Sequence, residues 1–133
     1  VKGAEGWQIS NIPILSLAPY LASVDMFDEI GMDVIIEKRD KITAYLEFIL
    51  QEIAKEVDSN FEIITPSDLS ERGCQLSVFL HGEGRGLFDY LMEKGVITDW
   101  REPNVIRFAP VPLYCSFEDM YDFGQILKAG ILR

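Results

Sequence analysis

An arginine with apolar neighbours is the residue whose setting most directly suggests chemistry. Arg107 lies between Ile106 and Phe108, in a run of hydrophobic residues and prolines that continues to Tyr114. A permanent cation among apolar residues needs a partner or a cavity, because an unpaired buried charge is costly. Its planar guanidinium matches the two oxygens of a carboxylate. Two interpretations of Arg107 stay open: a site for the carboxylate of a ligand, or a structural ion pair with one of the chain's own acids.

A short polar segment near the start of the chain is the second candidate site. Ser10 and Asn11 follow Trp7 and precede a segment with helical spacing, so they stand where helix-capping residues are common. The N-terminus of a helix binds anions through its free backbone N–H groups and its dipole. Ordinary capping explains the same two residues more simply, and the residues alone favour that interpretation.

The remaining groups of reactive residues give weak signals. The glycines of the His81–Gly86 segment lack both the lysine of a phosphate-binding loop and the spacing of a dinucleotide fingerprint, so they indicate a loop. His81 has no nucleophile or carboxylate at a fixed spacing that would indicate catalysis. Two cysteines and one histidine are too few for a Cys/His zinc site of four ligands, and no metal is expected. No residue of this chain is predicted to be catalytic.

The composition is that of a folded domain of ordinary size. The chain has 133 residues, of which 48% are hydrophobic and 26% charged, enough for one core. Its net charge of −10 opposes binding to nucleic acid or to an anionic membrane surface, and neither partner is expected. We expect a single domain over residues 1–133, in the cytoplasm, with reduced cysteines. The first residue, Val1, suggests a cut piece of a longer chain or a processed one.

The spacing of apolar residues predicts an α+β fold. Helical periodicity predicts helices over residues 10–30, 33–57 and from 116 onward, with a short helix between 87 and 95. Pro19 should kink the first helix or delay its start, and Ser116 with Asp119 resembles a capping box. Strand patterns occur at residues 61–65, 74–80, 96–99 and 105–108. Together they predict a small, mostly antiparallel sheet with helices packed on one face.

Four segments of the chain, in the same order, resemble the kynureninase family. They are Ile-Ser-Asn-Ile-Pro-Ile-Leu at 9–15, Thr-Ala-Tyr-Leu-Glu-Phe at 43–48, Ile-Ile-Thr-Pro at 63–66 with Glu-Arg-Gly-Cys-Gln-Leu at 71–76, and Ile-Arg-Phe-Ala-Pro-Val-Pro-Leu-Tyr at 106–114 followed by Ser116, Phe117 and Asp119. These segments span nearly the whole chain, which makes the resemblance far more specific than a single motif. The chain departs from the family pattern at Gln8, Ile12 and Cys115, where arginine, proline and asparagine are common.

The resemblance implies the C-terminal small domain of a fold-type-I enzyme that depends on pyridoxal 5′-phosphate (PLP) and works as a homodimer. Such enzymes hydrolyse L-kynurenine or 3-hydroxykynurenine to an anthranilate and L-alanine, in tryptophan catabolism and NAD biosynthesis. It implies that Asn11 and Ser10 contact the cofactor and the substrate. It also implies that Arg107 holds the substrate's α-carboxylate.

The resemblance implies, too, which parts of the chemistry lie outside this chain. The family's Schiff-base lysine, the aspartate that pairs with the pyridine nitrogen and the aromatic that stacks on the ring belong to an upstream large domain. None of the chain's lysines lies in a matching context, so the chain alone is expected to be inactive. Two alternatives stay open: a stand-alone binding or interaction domain with the same fold, and the small domain of another PLP lyase such as a cysteine desulfurase. The segment from Ile106 to Tyr114 counts against the lyase.

Overall fold

The structure is a computed structural model that describes residues 2–57, 61–82 and 84–133. Backbone contacts group the chain into two compact units, Val1–Val34 and Ile35–Arg133, which are described separately below. The helices are α1 (Ile14–Ile30), α2 (Met32–Glu56), α3 (Arg85–Glu93) and α4 (Phe117–Ile131). The strands are β1 (Phe61–Ile63), β2 (Leu76–Leu80), β3 (Asp99–Arg101) and β4 (Val105–Phe108), and short 3₁₀ turns occur at Ala4–Trp7 and Leu69–Glu71.

The first unit shows where the predicted first helix was wrong. Helix α1 begins at Ile14, and its N-cap residue is Pro13, so Ser10 and Asn11 lie before the helix and do not cap it. The reason is that a residue preceding a proline is kept out of the helical region, which prevents Ile12 from joining the helix. The helix continues through Pro19 and ends at Gly31, whose positive φ of 82° suits a glycine.

The second unit confirms the predicted α+β class. Its four strands form one antiparallel sheet in the order β1-β2-β4-β3. Helices α2, α3 and α4 contribute to one hydrophobic core with the sheet, and this core lies on one face of it. The core residues are Ile42, Leu46, Leu50, Ile53, Leu76, Val78, Leu80, Leu91, Ile106, Phe108, Met120, Phe123 and Leu127.

The alternation of side chains along the strands gives the sheet a second face without core residues. Leu76, Val78 and Leu80 of β2 are buried, and the residues between them are only partly buried. The same alternation holds in β4, since successive residues of a strand point to opposite faces. We call the side away from the core the open face. Its members are Glu62, Ser77, Phe79, Asp99, Arg101, Val105 and Arg107.

Strand β3 lies later in the chain than the sequence predicted. The expected strand covered residues 96–99, but β3 is Asp99–Arg101 and residues 96–98 are irregular. The N–H of Val96 donates to Leu91 O at the end of α3 (3.0 Å), so this residue caps the C-terminal end of the helix and does not join the strand. The tight turn at residues 102–104 then places Arg101 opposite Val105 and fixes the ladder.

The starts of α3 and α4 have clear local causes. Helix α3 begins at Arg85, inside the predicted His81–Gly86 loop, of which Glu83 lies outside the described residues. A Cβ atom at Gly84 would come within 2.4 Å of the Leu80 side chain, so packing explains this glycine. The predicted capping box of α4 is confirmed: the Asp119 N–H donates to Ser116 Oγ (3.0 Å), and Asp119 Oδ2 accepts from the Ser116 N–H (2.7 Å). The hydrogen bonds from Ser116 hold the pKa of Asp119 below its ordinary value.

Arg72 is the only charged residue that is fully buried in the part of the chain that the structure describes. Its side chain is 2% exposed, and Nη2 lies 2.7 Å from Glu47 Oε2. Nη1 donates to Pro66 O at 3.2 Å. The pair joins α2 to the segment that precedes β2, and nothing in the sequence pattern marked either residue as buried.

Replacing Arg72 with methionine should destabilise the chain strongly. The substitution leaves the Glu47 carboxylate, whose side chain is 15% exposed, without its cation. Removing one partner of a buried ion pair costs on the order of 3–5 kcal/mol. Urea unfolding followed by circular dichroism measures the loss. The matched control is Lys55→Met, which breaks the exposed pair with Glu52 and should cost less than about 1 kcal/mol. Equal losses in the two variants would contradict this account.

Helix α1 carries apolar side chains on all sides, with Asp25, Asp28 and Glu29 near its end, and has no buried residue. Ile14 and Leu15 are 80% and 90% exposed, and Tyr20 and Leu21 are also mostly exposed. A helix that is hydrophobic all round is normally buried in a larger protein. Contiguous apolar surface of this kind mediates association.

The isolated chain should therefore bind hydrophobic dyes and self-associate as its concentration rises. Leu15→Ser combined with Leu21→Ser should reduce both effects, because it removes apolar surface from α1. Ile97→Ser is the control, since Ile97 is equally exposed (82%) but lies in the second unit. Dye fluorescence and light scattering are the measurements. A monomer at high concentration that binds no dye would rule out an adhesive α1 surface.

Candidate functional site

Arg107 lies in the middle of β4 on the open face of the sheet. Its backbone neighbours across the ladder are Ser77 in β2 and Asp99 in β3. The flanking residues Ile106 and Phe108 point into the core. The apolar neighbours in the sequence therefore belong to the other face, and the Arg107 side chain is only partly buried, with 30% exposed.

The Arg107 guanidinium pairs with the carboxylate across the strand. Nη2 of Arg107 donates to Asp99 Oδ2, and Nε of Arg101 lies 3.1 Å from the same oxygen. Of the two interpretations left open by the sequence, the ion pair thus exists, and its partner is Asp99. Two arginines share one carboxylate, so the group keeps an excess of positive charge. Such an excess favours an anionic ligand.

The Arg107 guanidinium also has donors that the chain does not use. Its Nε is buried and has no hydrogen-bond partner among the described residues. A guanidinium has five N–H donors, about one of which the bond to Asp99 occupies. Across the β2–β4 ladder Arg107 faces Ser77, whose hydroxyl accepts from Gln75 Nε2 at 3.1 Å. The arrangement can bind a further carboxylate without breaking the pair with Asp99.

A second polar pair occupies the other edge of the open face. His81 Nε2 lies 3.6 Å from Glu62 Oε2, and the His81 ring meets the Phe79 ring edge-on at 5.0 Å between centroids. Both His81 and Glu62 are exposed. The imidazole therefore lies at the surface, just beyond the end of β2.

Ser10 and Asn11 belong to the first unit, where both are exposed. Neither side chain has a hydrogen-bond partner within the described residues, although the Ser10 carbonyl accepts from Gln8 Nε2 at 3.2 Å. A hydroxyl and a carboxamide without partners are a donor set that fits the polar groups of PLP. Anion binding at a helix N-terminus, which the sequence suggested for Ser10 and Asn11, is not supported, because α1 begins three residues beyond Asn11.

The lysines do not fit a covalent cofactor link. None of the six is buried, and those at positions 41, 55 and 128 pair with acids. A lysine that forms a Schiff base is usually desolvated. The described residues therefore offer no buried lysine that could hold such a cofactor covalently.

The described residues offer neither a metal site nor a membrane-spanning helix. No cluster of three or more His, Cys, Asp or Glu side chains there could hold a metal ion. None of the described helices has the length and apolar character needed to cross a membrane. A cavity of about 320 Å³ lies on the helix-covered side of the sheet, beside Phe108, Cys115 and Phe123, and Arg107 does not line it.

Asp99 and Arg101 were not among the site residues predicted from the sequence. A usable signal was present, because a hairpin centred on the Glu102-Pro103-Asn104 turn pairs residue 101 with 105 and 99 with 107. The predicted strand at 96–99 ended too early to show this pairing. An aspartate opposite an arginine on the same face is a favourable cross-strand pair.

The fold and the open face define a class: an α+β domain with an arginine group suited to a carboxylate. Comparison with known proteins gives a family. The model of the Kynureninase C-terminal domain matches residues 37–127. Two similar relatives are named Kynureninase: one from Flavobacterium johnsoniae, 80% identical over 99% of this chain, and one from Flavobacterium psychrophilum, 76% identical over 100%. A Kynureninase from Xanthomonas campestris pv. campestris is 50% identical over 92% of the chain.

The chain belongs to the kynureninase family, as its C-terminal domain. It spans 31% of the length of the two Flavobacterium relatives and 29% of the Xanthomonas relative. The family resemblance seen in the sequence is thereby confirmed.

Proposed function

We propose that this chain is the C-terminal part of an enzyme that hydrolyses L-kynurenine or 3-hydroxykynurenine to an anthranilate and L-alanine. The enzyme would be a PLP-dependent homodimer of the cytoplasm, serving tryptophan catabolism and NAD biosynthesis, with residues 1–133 as its C-terminal small domain. The proposal draws on the relatives named Kynureninase, which match nearly the whole chain at up to 80% identity. The same names weigh against a cysteine desulfurase.

The observation that carries the proposal is the setting of Arg107. A half-buried guanidinium that Asp99 contacts through Nη2 alone, in a group with excess positive charge, is suited to the α-carboxylate of an amino-acid substrate. Two parallel hydrogen bonds to a carboxylate fix the orientation of the substrate as well as its affinity. The role of Arg107 in this reaction is therefore to bind and orient, because a guanidinium does not release a proton at ordinary pH.

Ser10 and Asn11 would contact PLP and the substrate from the first unit. The Asn11 carboxamide can donate and accept, and the Ser10 hydroxyl can do the same, so both suit the oxygen atoms of the cofactor. When bound, PLP supplies an electron sink for the bonding electrons at the substrate's α-carbon. The chain's own residues would hold and orient the reactants and leave proton transfer to other groups.

The 133-residue chain alone should not cleave kynurenine, even with added PLP. No lysine in it is buried or placed to hold the cofactor covalently. The measurement is the fluorescence of anthranilate on mixing the purified chain, PLP and kynurenine, with the Flavobacterium johnsoniae relative as positive control. Turnover by the isolated chain would overturn the assignment of the catalytic residues to other parts of the protein.

Arg107 is best tested in a graft, in which this chain replaces the matching 132-residue segment of the Flavobacterium johnsoniae relative. Arg107→Lys keeps the charge and loses the planar fork. The loss of one charge-assisted hydrogen bond, about 1.5–3 kcal/mol, should lower kcat/KM for kynurenine by roughly 10- to 150-fold. The absorbance of bound PLP should not change, because Arg107 is assigned to the substrate.

Arg85→Lys is the matched control, since Arg85 also pairs with an aspartate, Asp89, but lies on α3 at the surface. It should leave kcat/KM near the value of the unsubstituted graft. If Arg107→Lys keeps a near-normal kcat/KM, the ion pair with Asp99 is the only role left for this arginine. The same conclusion holds if the variant loses bound PLP, since Arg107 is assigned to the substrate. An inactive unsubstituted graft would count against the proposed function itself.

A further inference from the structure

We propose that Asp99 is a positioning residue, which holds the Arg107 guanidinium in the orientation that receives the substrate carboxylate. The inference rests on the proposed function of Arg107 and adds a residue to it. Asp99 would act only through Arg107 and would not touch the substrate itself.

The β3–β4 hairpin alone brings the side chains of Asp99 and Arg107 together. Asp99 and Arg107 are directly opposed in the β3–β4 ladder and point to the same face. Directly opposed residues of an antiparallel pair have their Cβ atoms within about 5.5 Å, close enough for a short acid to reach an arginine. The pairing is therefore set by the register of the hairpin.

The contact involves only part of the guanidinium. Asp99 Oδ2 accepts from Nη2, while the buried Nε has no partner among the described residues. Arginine–carboxylate pairs often form two parallel hydrogen bonds, and the Asp99–Arg107 pair does not. The single contact anchors Nη2 and leaves the Nη1 donors for a second carboxylate.

The exposure of the pair argues against a mainly structural role. The side chains of Arg107 and Asp99 are 30% and 44% exposed, whereas the Arg72–Glu47 pair is almost fully buried. Exposed ion pairs contribute little to the free energy of unfolding. A long arginine side chain that is already held loses less conformational entropy when the substrate binds, so the benefit of the pair should appear in binding.

Because Asp99 also contacts Arg101, it is informative whether substrate binding becomes stronger or weaker when Asp99 is replaced. Its Nε lies 3.1 Å from Asp99 Oδ2, so Asp99 serves two cations. Removing the Asp99 carboxylate adds positive charge to the site, and charge alone would strengthen the binding of an anionic substrate. Weaker binding after the same change, at an unchanged melting temperature, therefore indicates the loss of a fixed orientation.

The test uses Asp99→Ala and Asp99→Asn in the graft described above. Asp99→Ala should raise KM for kynurenine roughly 2- to 12-fold, the factor that corresponds to ordering one long side chain. Asp99→Asn should recover part of the loss, because its carbonyl oxygen can still accept from Nη2. The melting temperature and the absorbance of bound PLP should stay at the values of the unsubstituted graft. Asp89→Ala, which removes the partner of an exposed arginine on α3, is the matched control and should not change KM.

A double-mutant cycle separates this inference from the proposed function. If Asp99 acts through Arg107, then Asp99→Ala should add no further loss to Arg107→Ala, so the two effects will not be additive. Additive losses, or a lower KM in Asp99→Ala, would refute the positioning role of Asp99. Neither result would affect the role proposed for Arg107 in binding the substrate carboxylate. If Arg107→Ala has no effect on kcat/KM, the proposed function of Arg107 fails, and the positioning role fails with it.

Discussion

The burial of Ile106 and Phe108 beneath the helices is the constraint from which the site follows. Ile106 is fully buried and Phe108 is 5% exposed, and both contact the core formed with α2 and α4. Successive residues of a strand point to opposite faces, so Arg107 between them must point away from the core. A register shift of one residue would bury the guanidinium and expose both hydrophobic side chains, and the cost of that exchange fixes the strand.

The same register determines the partners of Arg107. Because β4 pairs with β3 through a tight turn, the residue opposite Arg107 is Asp99, and Arg101 lies two residues further along the same face. The domain thus uses its arginines in two ways. Arg72 is buried with Glu47 and joins α2 to the sheet side of the core, whereas Arg107 is half-exposed and keeps unused donors. Only the second arrangement leaves a cation for a ligand.

The elements that the sequence predicted well are those with local signals. Helix α2 has a long apolar stripe, β4 has alternating burial, and α4 begins with a capping box whose hydrogen bonds are all present. These patterns need only a few neighbouring residues, so they can be recognised in one sequence. The class of fold follows from the order of such elements.

The features that the sequence did not reveal depend on residues far apart in the chain or on a single dominant neighbour. Pro13 overrides the capping preference of Ser10 and Asn11, because it prevents a helical residue before it. The burial of Arg72 depends on Glu47, which is distant in sequence and lies on another element. The position of β3 depends on pairing with β4, and pairing between strands is not visible in the pattern of either strand alone.

The chemistry available to the open face also limits what this part of the protein can contribute to a reaction. A guanidinium stays charged over the pH range in which proteins are folded, so Arg107 can attract and align a carboxylate but cannot exchange protons with it. Asp99 accepts a hydrogen bond from Arg107 Nη2 and lies 3.1 Å from Arg101 Nε, so its carboxylate is engaged by two cations. The open face can therefore contribute to a reaction only by binding and orienting the substrate. Orientation accelerates a reaction only when the reacting groups are themselves held in place, so in the proposed function the contribution of Arg107 would depend on how rigidly Asp99 holds it.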